Sequence, residues 1–342
     1  MQITLVSIVC AIPLSLASSA CLSQGDFPRT ASGKPDFNGH YDVSSLTPFQ
    51  RPQEFGDRLF LNVEEVQALR QREMSIREQD AAPSDPDREA PDPGGNIGSY
   101  NDFWFDRGND GFAIDGQYRT SILTYPANGR MPAMNPEGQE RAARAPRFAW
   151  PERPGAWWME TGEQPYDGPE NMTVGVRCIY QPSASIPIQP LVYNNIKQVV
   201  QTDDYVMIAI EWMNWARIIR IDDEHKPATL GRLDGDSIGW WEDDTLVVET
   251  IHFLEQPHEP KPGKRVVERF SPMADGNLLY SFTVEDPDYT DKYSGEYVWP
   301  RSDQVAYEYA CHEGNYAMTA TLRGARIREQ EWRAEQVETD SR

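Results

Sequence analysis

The stretch DSIGWWEDDTLVVETIHF, residues 236–253, decides the fold. Two runs rich in β-branched and aromatic residues, Asp236–Glu242 and Thr245–Phe253, flank Asp243-Asp244. That arrangement reads as a β-hairpin. With Gly235 in front, the same residues also match the G-x-S-x-G nucleophile pattern, and Asp286 and His312 follow in hydrolase order. A serine nucleophile of that kind needs a helix leaving Ser237 to help build the oxyanion hole, whereas strand-forming sequence follows here. The hairpin is the preferred reading, and a serine hydrolase using Ser237 stays as an alternative.

The same pattern extends outward. Lys197–Thr202 and Tyr205–Trp212 read as strands around Asp203-Asp204, and Arg217–Ile221 as a third. Downstream, Arg265–Pro272 and Leu278–Asp286 flank Ala274-Asp275-Gly276-Asn277. Tyr297–Arg301 and Val305–Glu313 flank Ser302-Asp303. About nine successive strands without intervening helices predict a mainly β fold, an antiparallel meander closing into a lipocalin-like barrel or a sandwich. A few short helices belong to the N-terminal half. One runs from Val63 to about Arg77, capped by Asn62 with Glu65 three residues on, and another follows Asn135-Pro136. Residues 83–98 read as a Pro- and Gly-rich linker, and Arg147–Glu170 as an irregular loop.

Residues 1–20 carry no charged side chain, and an apolar run from Ile3 to Leu16 leads to small residues at Ser18 and Ala20. This is the pattern of a cleaved export signal, too short for a membrane span. The expected organisation is therefore a signal peptide (1–20), an N-terminal extension with one helix and the linker (21–99), a single β-rich domain (100–326) and a polar tail (327–342). The location is secreted or periplasmic. Lipid attachment at Cys21 is weakly supported, because Ser18 replaces the large aliphatic residue that such a signal needs. In an oxidising compartment Cys178 and Cys311 can form one disulfide; two separately buried thiols are the alternative.

Of 342 residues, 54 are acidic and 32 basic, a formal charge of −22. That balance argues against nucleic acid and anionic lipid as partners. Ten Trp, fifteen Tyr and twelve Phe argue against disorder. Only five His are present, none at zinc-ligand spacing, so no metal and no cofactor are expected.

Carboxylates inside apolar strands carry the chemical signal. Alternation puts Glu211, Glu249, Glu268 and Glu308 on apolar strand faces, the last with His312. If those faces line one interior, the Glu residues, His312 and Arg217 converge there, and burial raises Glu pKa values toward the range of general acids and bases. His312 with Glu313 or Glu308 are the candidate base and acid, Arg217 the electrostatic stabiliser, and Glu211, Glu249 and Asp236 secondary candidates. Trp212, Trp215, Trp241, Tyr309, Asn194, Asn195 and Trp104 are candidate ligand contacts.

The 235–250 stretch, the run YEYACHEGNY at 307–316 and the N-terminal pieces Asn101–Trp104, Asp106–Gly108, Arg119–Ser121 and Asn128–Pro132 resemble signatures of an uncharacterised family of secreted bacterial proteins. The likeness spans about Tyr100 to Arg326. It implies export and a single domain, and no reaction. At Trp212-Met213-Asn214-Trp215 the chain departs from the more His-rich and acidic pattern of that family, which implies an altered pocket. The leading reading is an exported β protein that binds a small apolar or aromatic metabolite and transforms it as a cofactor-free lyase, isomerase or hydratase. A non-catalytic carrier is the alternative, and it expects the strand Glu residues to be paired with Arg and His312 to point outward.

Overall fold

The computed structural model describes residues 27–81, 87, 105–144, 155–181, 185–255, 259–261 and 263–340. The expected signal, Cys21, Trp104 and nearly all of the linker at 83–98 lie outside these residues.

Eleven strands form one mixed sheet. In chain order they are β1 (Gly39–Asp42), β2 (Leu123–Tyr125), β3 (Ile196–Gln201), β4 (Tyr205–Ile210), β5 (Trp215–Ile221), β6 (Asp236–Glu242), β7 (Thr245–Ile251), β8 (Arg265–Pro272), β9 (Leu278–Glu285), β10 (Tyr293–Trp299) and β11 (Arg301–Ser302). Their spatial order is β11-β1-β3-β4-β5-β6-β7-β8-β9-β10-β2. The 236–253 hairpin forms as read, with Glu242 opposite Thr245 and Ser237 opposite Thr250.

One junction breaks the expected meander. β5 and β6 run parallel, pairing Ile219 with Ser237 and Ile221 with Gly239. A parallel pair cannot be joined by a tight turn, and the connection through 222–235 supplies the crossover. Two further expectations are corrected at the chain ends. Val305–Glu313 is not a strand; its chain is irregular and then turns at 311–314. The segment taken as an N-terminal extension supplies β1, seated between β11 and β3. β10 and β11 are separated by Pro300 alone, yet β10 pairs with β9 and β11 with β1. The segment 293–302 thus serves both flanks of the sheet order, and the Asp42 N–H donates to Pro300 O at 3.0 Å.

Strand alternation sends one face of the sheet into the core. Tyr41, Val199, Ile208, Ile219, Val248, Phe270, Tyr280 and Trp299 all lie on it, buried. Its densest part is aromatic. The Tyr280 ring sits 5.0 Å from Phe270, 5.1 Å from Trp299 and 5.4 Å from Tyr297. Each such pair adds about 0.5–1.5 kcal/mol beyond burial of its area.

Among the described residues four α-helices accompany the sheet. α1 (Val63–Asp80) starts at the expected capping box, Asn62 and Glu65 each bonding the other's backbone N–H, and runs to Asp80 rather than Arg77. α2 (Pro136–Arg144) has Pro at its first position, where the missing N–H is harmless. α3 is the short Trp157–Thr161. α4 (Tyr316–Asp340) runs unbroken through the boundary expected at 326/327, where a polar tail was read. Its Ala325 and Trp332 pack with Trp157 and Trp158 in a second, smaller cluster. Among the described residues no helix is long and apolar enough to cross a membrane.

Candidate functional site

A cleft of about 570 Å³ opens between α1, the 45–49 loop, the turn at Pro190–Val192 and Trp212. Its walls are joined by backbone pairing. The Ile122 N–H donates to Pro48 O at 2.9 Å, and the Asp106 N–H to Val192 O at 2.8 Å. Asn195, 1 % exposed, fastens two walls with its side chain. Its amide donates to Leu191 O at 2.8 Å and to Asp106 O at 2.7 Å, and accepts from the Leu191 N–H at 2.8 Å. The chain leaves Arg107 through Gly108 at φ +82, where a Cβ would sit 3.1 Å from the Ser44 backbone. Only glycine fits that turn without strain.

Most of the lining is apolar: Leu46, Pro48, Phe49, Leu69, Ile76, Ile122, Leu191 and Val192. The polar lining is small and uneven. Arg107 stacks over the Phe105 ring at 4.2 Å and reaches Asp80 at 3.3 Å and Glu73 at 3.7 Å. Glu73 is already engaged by Arg77 at 2.8 Å. Two buried donor atoms at this cleft, Arg107 Nη1 and Trp212 Nε1, have no hydrogen-bond partner. Orphan buried donors are rare in folded proteins because each forfeits its hydration without compensation. Trp212 also stacks on Tyr193 at 4.2 Å and, less closely, on Tyr309 at 5.7 Å.

Beside this cleft lies a buried charge group. Lys197, fully buried, is pushed down to about 8 by burial, against the charges of Glu211 and Asp42; its Nζ donates to Asn194 O at 3.3 Å. Burial raises the Asp106 carboxyl, and the charge of Asp42 adds to the effect. Glu211 accepts from the Tyr307 N–H at 3.0 Å and the Ile196 N–H at 3.4 Å. Together with Asn214, whose side chain brackets the Tyr309 backbone at 2.9 and 3.0 Å, it holds the 305–310 segment against the Trp212 turn.

The single convergence expected of the strand carboxylates does not occur. Glu268 and Arg217 meet in the core, 0 % and 1 % exposed, through a two-bond fork at 2.5 and 3.0 Å. Ser237 accepts from Arg217 Nε at 3.1 Å, Thr250 from Arg217 Nη2 at 2.8 Å, and the Tyr280 hydroxyl donates to Glu268 at 2.6 Å. Burial is the largest single influence and works to lower the Arg217 pKa, but the charge and hydrogen bonds of Glu268, with the Tyr280 and Asp234 charges, together outweigh it and the net shift is upward. Burial, then the Glu268 charge, drives the Tyr280 hydroxyl well above its ordinary value. Glu249 lies on the opposite face of the sheet, bonded to Arg265 at 2.5 Å and His225 at 3.2 Å. Asp236 shares that face and contacts His225 at 2.9 Å and Arg220 at 2.8 Å. Burial works to raise the Asp236 carboxyl, yet bonds from Arg220, the Lys226 N–H and His225 hold it well below the usual range.

Glu308, His312 and Glu313 are exposed, on irregular chain and a turn, because the strand that was to carry them inward is absent. The hydrolase constellation is likewise scattered. Ser237 is buried with Arg217 and Thr250, Asp286 pairs with Lys261 at 3.0 Å, and His312 is at the surface. Of the expected ligand contacts, Trp212 lines the cleft and Tyr309 stacks near it. Asn195 fastens its walls, while Asn194 only offers its carbonyl to Lys197. Trp215 donates to Asp234 at 3.1 Å and packs on Tyr180, and Trp241 packs on Phe37 at 5.4 Å; neither lines the cleft. Cys178 and Cys311 form a disulfide. Among the described residues no group of three or more His, Cys, Asp or Glu is placed to hold a metal ion.

Arg107, the α1 face and the 45–49 loop were not among the expected site residues. The one sequence signal for them was Asp106-Arg107-Gly108, which entered as part of a resemblance and carried no chemistry. No protein-family model matches the chain, and no curated protein matches it.

Proposed function

We propose that this chain is a small-molecule-binding protein whose ligand occupies the cleft between α1, the 45–49 loop and Trp212. One observation carries the reading: the concavity of about 570 Å³ is lined mostly by apolar side chains, with Arg107, Glu73 and Trp212 among the few polar ones. A mostly apolar concavity with a few polar groups is the usual form of a small-molecule site. Of the three readings made from the sequence, the carrier is favoured over the acid–base enzyme and the serine hydrolase. Glu268 is paired with Arg217 and Glu249 with Arg265, Glu211 holds backbone N–H groups, and Glu308 and His312 are exposed. Carboxylates held by guanidinium groups are poor proton carriers at neutral pH.

The same reading takes the sheet as a barrel, supported by the 293–302 segment, which serves both flanks across Pro300. It also takes the protein as exported, supported by the Cys178–Cys311 bond, a feature of oxidising compartments.

The test is displacement of an environment-sensitive apolar dye, measured by fluorescence on the full chain and on Val192→Trp, which puts a larger ring into the cleft lining. Val192 is 44 % exposed, so the larger ring is tolerated by the fold. Binding lost in the variant with unchanged circular dichroism supports the reading; equal dye binding by both proteins overturns it.

A further inference from the structure

Resting on the cleft as the binding site, we propose that its ligand carries an aromatic ring, which stacks on the face of the Trp212 indole turned away from Tyr193. The argument starts from three rings. Tyr193 is stacked on Trp212 with centroids 4.2 Å apart and planes 14° from parallel. Tyr309 is also near parallel to both, 5.7 Å from Trp212 and 6.5 Å from Tyr193. Viewed from the indole, those separations place Tyr309 close to a right angle from Tyr193. Tyr193 therefore backs one indole face, Tyr309 extends the flat surface sideways, and neither ring covers the opposite face. Trp212 is half-buried and belongs to the cleft lining. Its Nε1 edge is buried, so the side chain offers a ligand the carbon surface of the ring.

That surface is built before any ligand arrives. Directly after Trp212 the chain turns through two left-handed residues, Met213 at φ +62 and Asn214 at φ +49, a conformation uncommon outside glycine. The Asn214 side chain then holds the Tyr309 backbone at 2.9 and 3.0 Å, and Glu211 accepts from the Tyr307 N–H at 3.0 Å. A stack fixed in this way needs little ordering on binding. The 45–49 loop repeats the arrangement on another wall. Phe49 lines the same cleft, half-buried, and the buried Phe282 ring lies 6.1 Å from it with planes 6° from parallel. Two walls of one cleft thus each contribute an aromatic ring already backed by another.

Such walls distinguish a ring by its electrons as well as by its size. Aromatic rings in offset contact gain from their quadrupoles beyond the burial of their area. A saturated ring of the same skeleton carries more hydrogens and more apolar surface, so burial alone favours it, but it has no quadrupole. The sign of the preference between the two therefore separates a stacking site from one that is only apolar.

The experiment is displacement of the apolar dye from the full chain by 2-naphthaleneethanol and by its decahydro counterpart. The naphthyl alcohol is expected to bind tighter by about threefold or more, the gain that one or two aromatic pairs supply. Trp212→Leu, which keeps an apolar side chain and deletes the ring, is expected to abolish or reverse that preference. Should Trp212→Leu not fold, proton NMR of the naphthyl alcohol with the unaltered chain decides: its ring protons are expected to move upfield on binding, as they do over an indole face, and unmoved protons overturn the inference. A preference that survives Trp212→Leu in a folded variant overturns the assignment to Trp212. Equal or tighter binding of the decahydro alcohol, with both displacing the dye, overturns the ring inference and leaves the cleft as a binding site. Failure of both alcohols to displace the dye, with dye binding indifferent to Val192→Trp, overturns both.

Discussion

Trp158 on α3 donates its indole N–H to Glu329 on α4 at 3.0 Å, and both side chains are buried although 171 residues separate them. This bond fixes the register in which the C-terminal helix lies on the Trp157-Trp158 pair. Glu329→Ala leaves the indole without its acceptor, a loss of about 1–3 kcal/mol. Glu329→Gln retains an acceptor and is expected to lose less. Urea unfolding followed by tryptophan fluorescence ranks the two; equal losses exclude the bond as the cause.

Arg217 and Glu268 are a buried pair, and removing one partner strands the other's charge in the core. Arg217→Met or Glu268→Leu alone is expected to cost about 3–5 kcal/mol. The double substitution is expected to cost clearly less than the sum, because no uncompensated charge remains. A double-mutant cycle in urea measures the difference, and simple additivity contradicts the expectation.

Lys197 gives the protein a pH dependence on the alkaline side. Its folded pKa is about 8 against an ordinary 10.5. Below about pH 8 the amine is charged in both states, and the folded protein bears the full penalty of burying it. Between about 8 and 10.5 the unfolded state holds more protons, so the contribution to stability rises with pH. The rise is on the order of 3 kcal/mol at most. Tyrosines such as Tyr41, raised to about 12 by burial, act oppositely once the unfolded state ionises above about pH 10. Lys197→Met is therefore expected to abolish the rise between about pH 8 and 10. Stability measured across that window in both proteins checks it, and parallel curves contradict it.

The Cys178–Cys311 bond closes a sequence separation of 133 residues. The chain-entropy model gives about 5 kcal/mol for a loop that long. Cys178→Ser with Cys311→Ser is expected to lower the urea midpoint by an amount equivalent to about 2–5 kcal/mol. The double variant should also lose the response of the wild-type midpoint to reductant. An unchanged midpoint contradicts the expectation.

Residues 236–285 were legible because pattern and burial coincide there. In Val266, Glu268 and Phe270 the apolar and inward positions follow one parity, and the register matches it. Ala306, Glu308, Ala310 and His312 show the same alternation, yet no strand edge meets them; side chains of Glu211 and Asn214 take the backbone N–H groups that a partner strand would have used. Pattern alone does not report the partner. α4 was missed for a different reason. Its inward stripe is Met318, Leu322, Ala325, Glu329 and Trp332, spaced by four, three, four and three residues. That is helical spacing, but a small residue and a glutamate at its centre hide it from hydrophobicity. The cleft was hidden because its walls come from residues 45–49, 69–76, 107, 190–192 and 212, and no local pattern joins segments so far apart.

The pairing of His40 with Ser302 also sets a timetable. Ser302 in β11 is synthesised 262 residues after His40 in β1. The contact that joins β1 to β11, and the Asp42 bond to Pro300 beside it, cannot form until every strand between them has been made. Contacts of such long sequence separation fold late and slowly. A growing chain therefore carries β1 without its β11 partner while every strand between them is made.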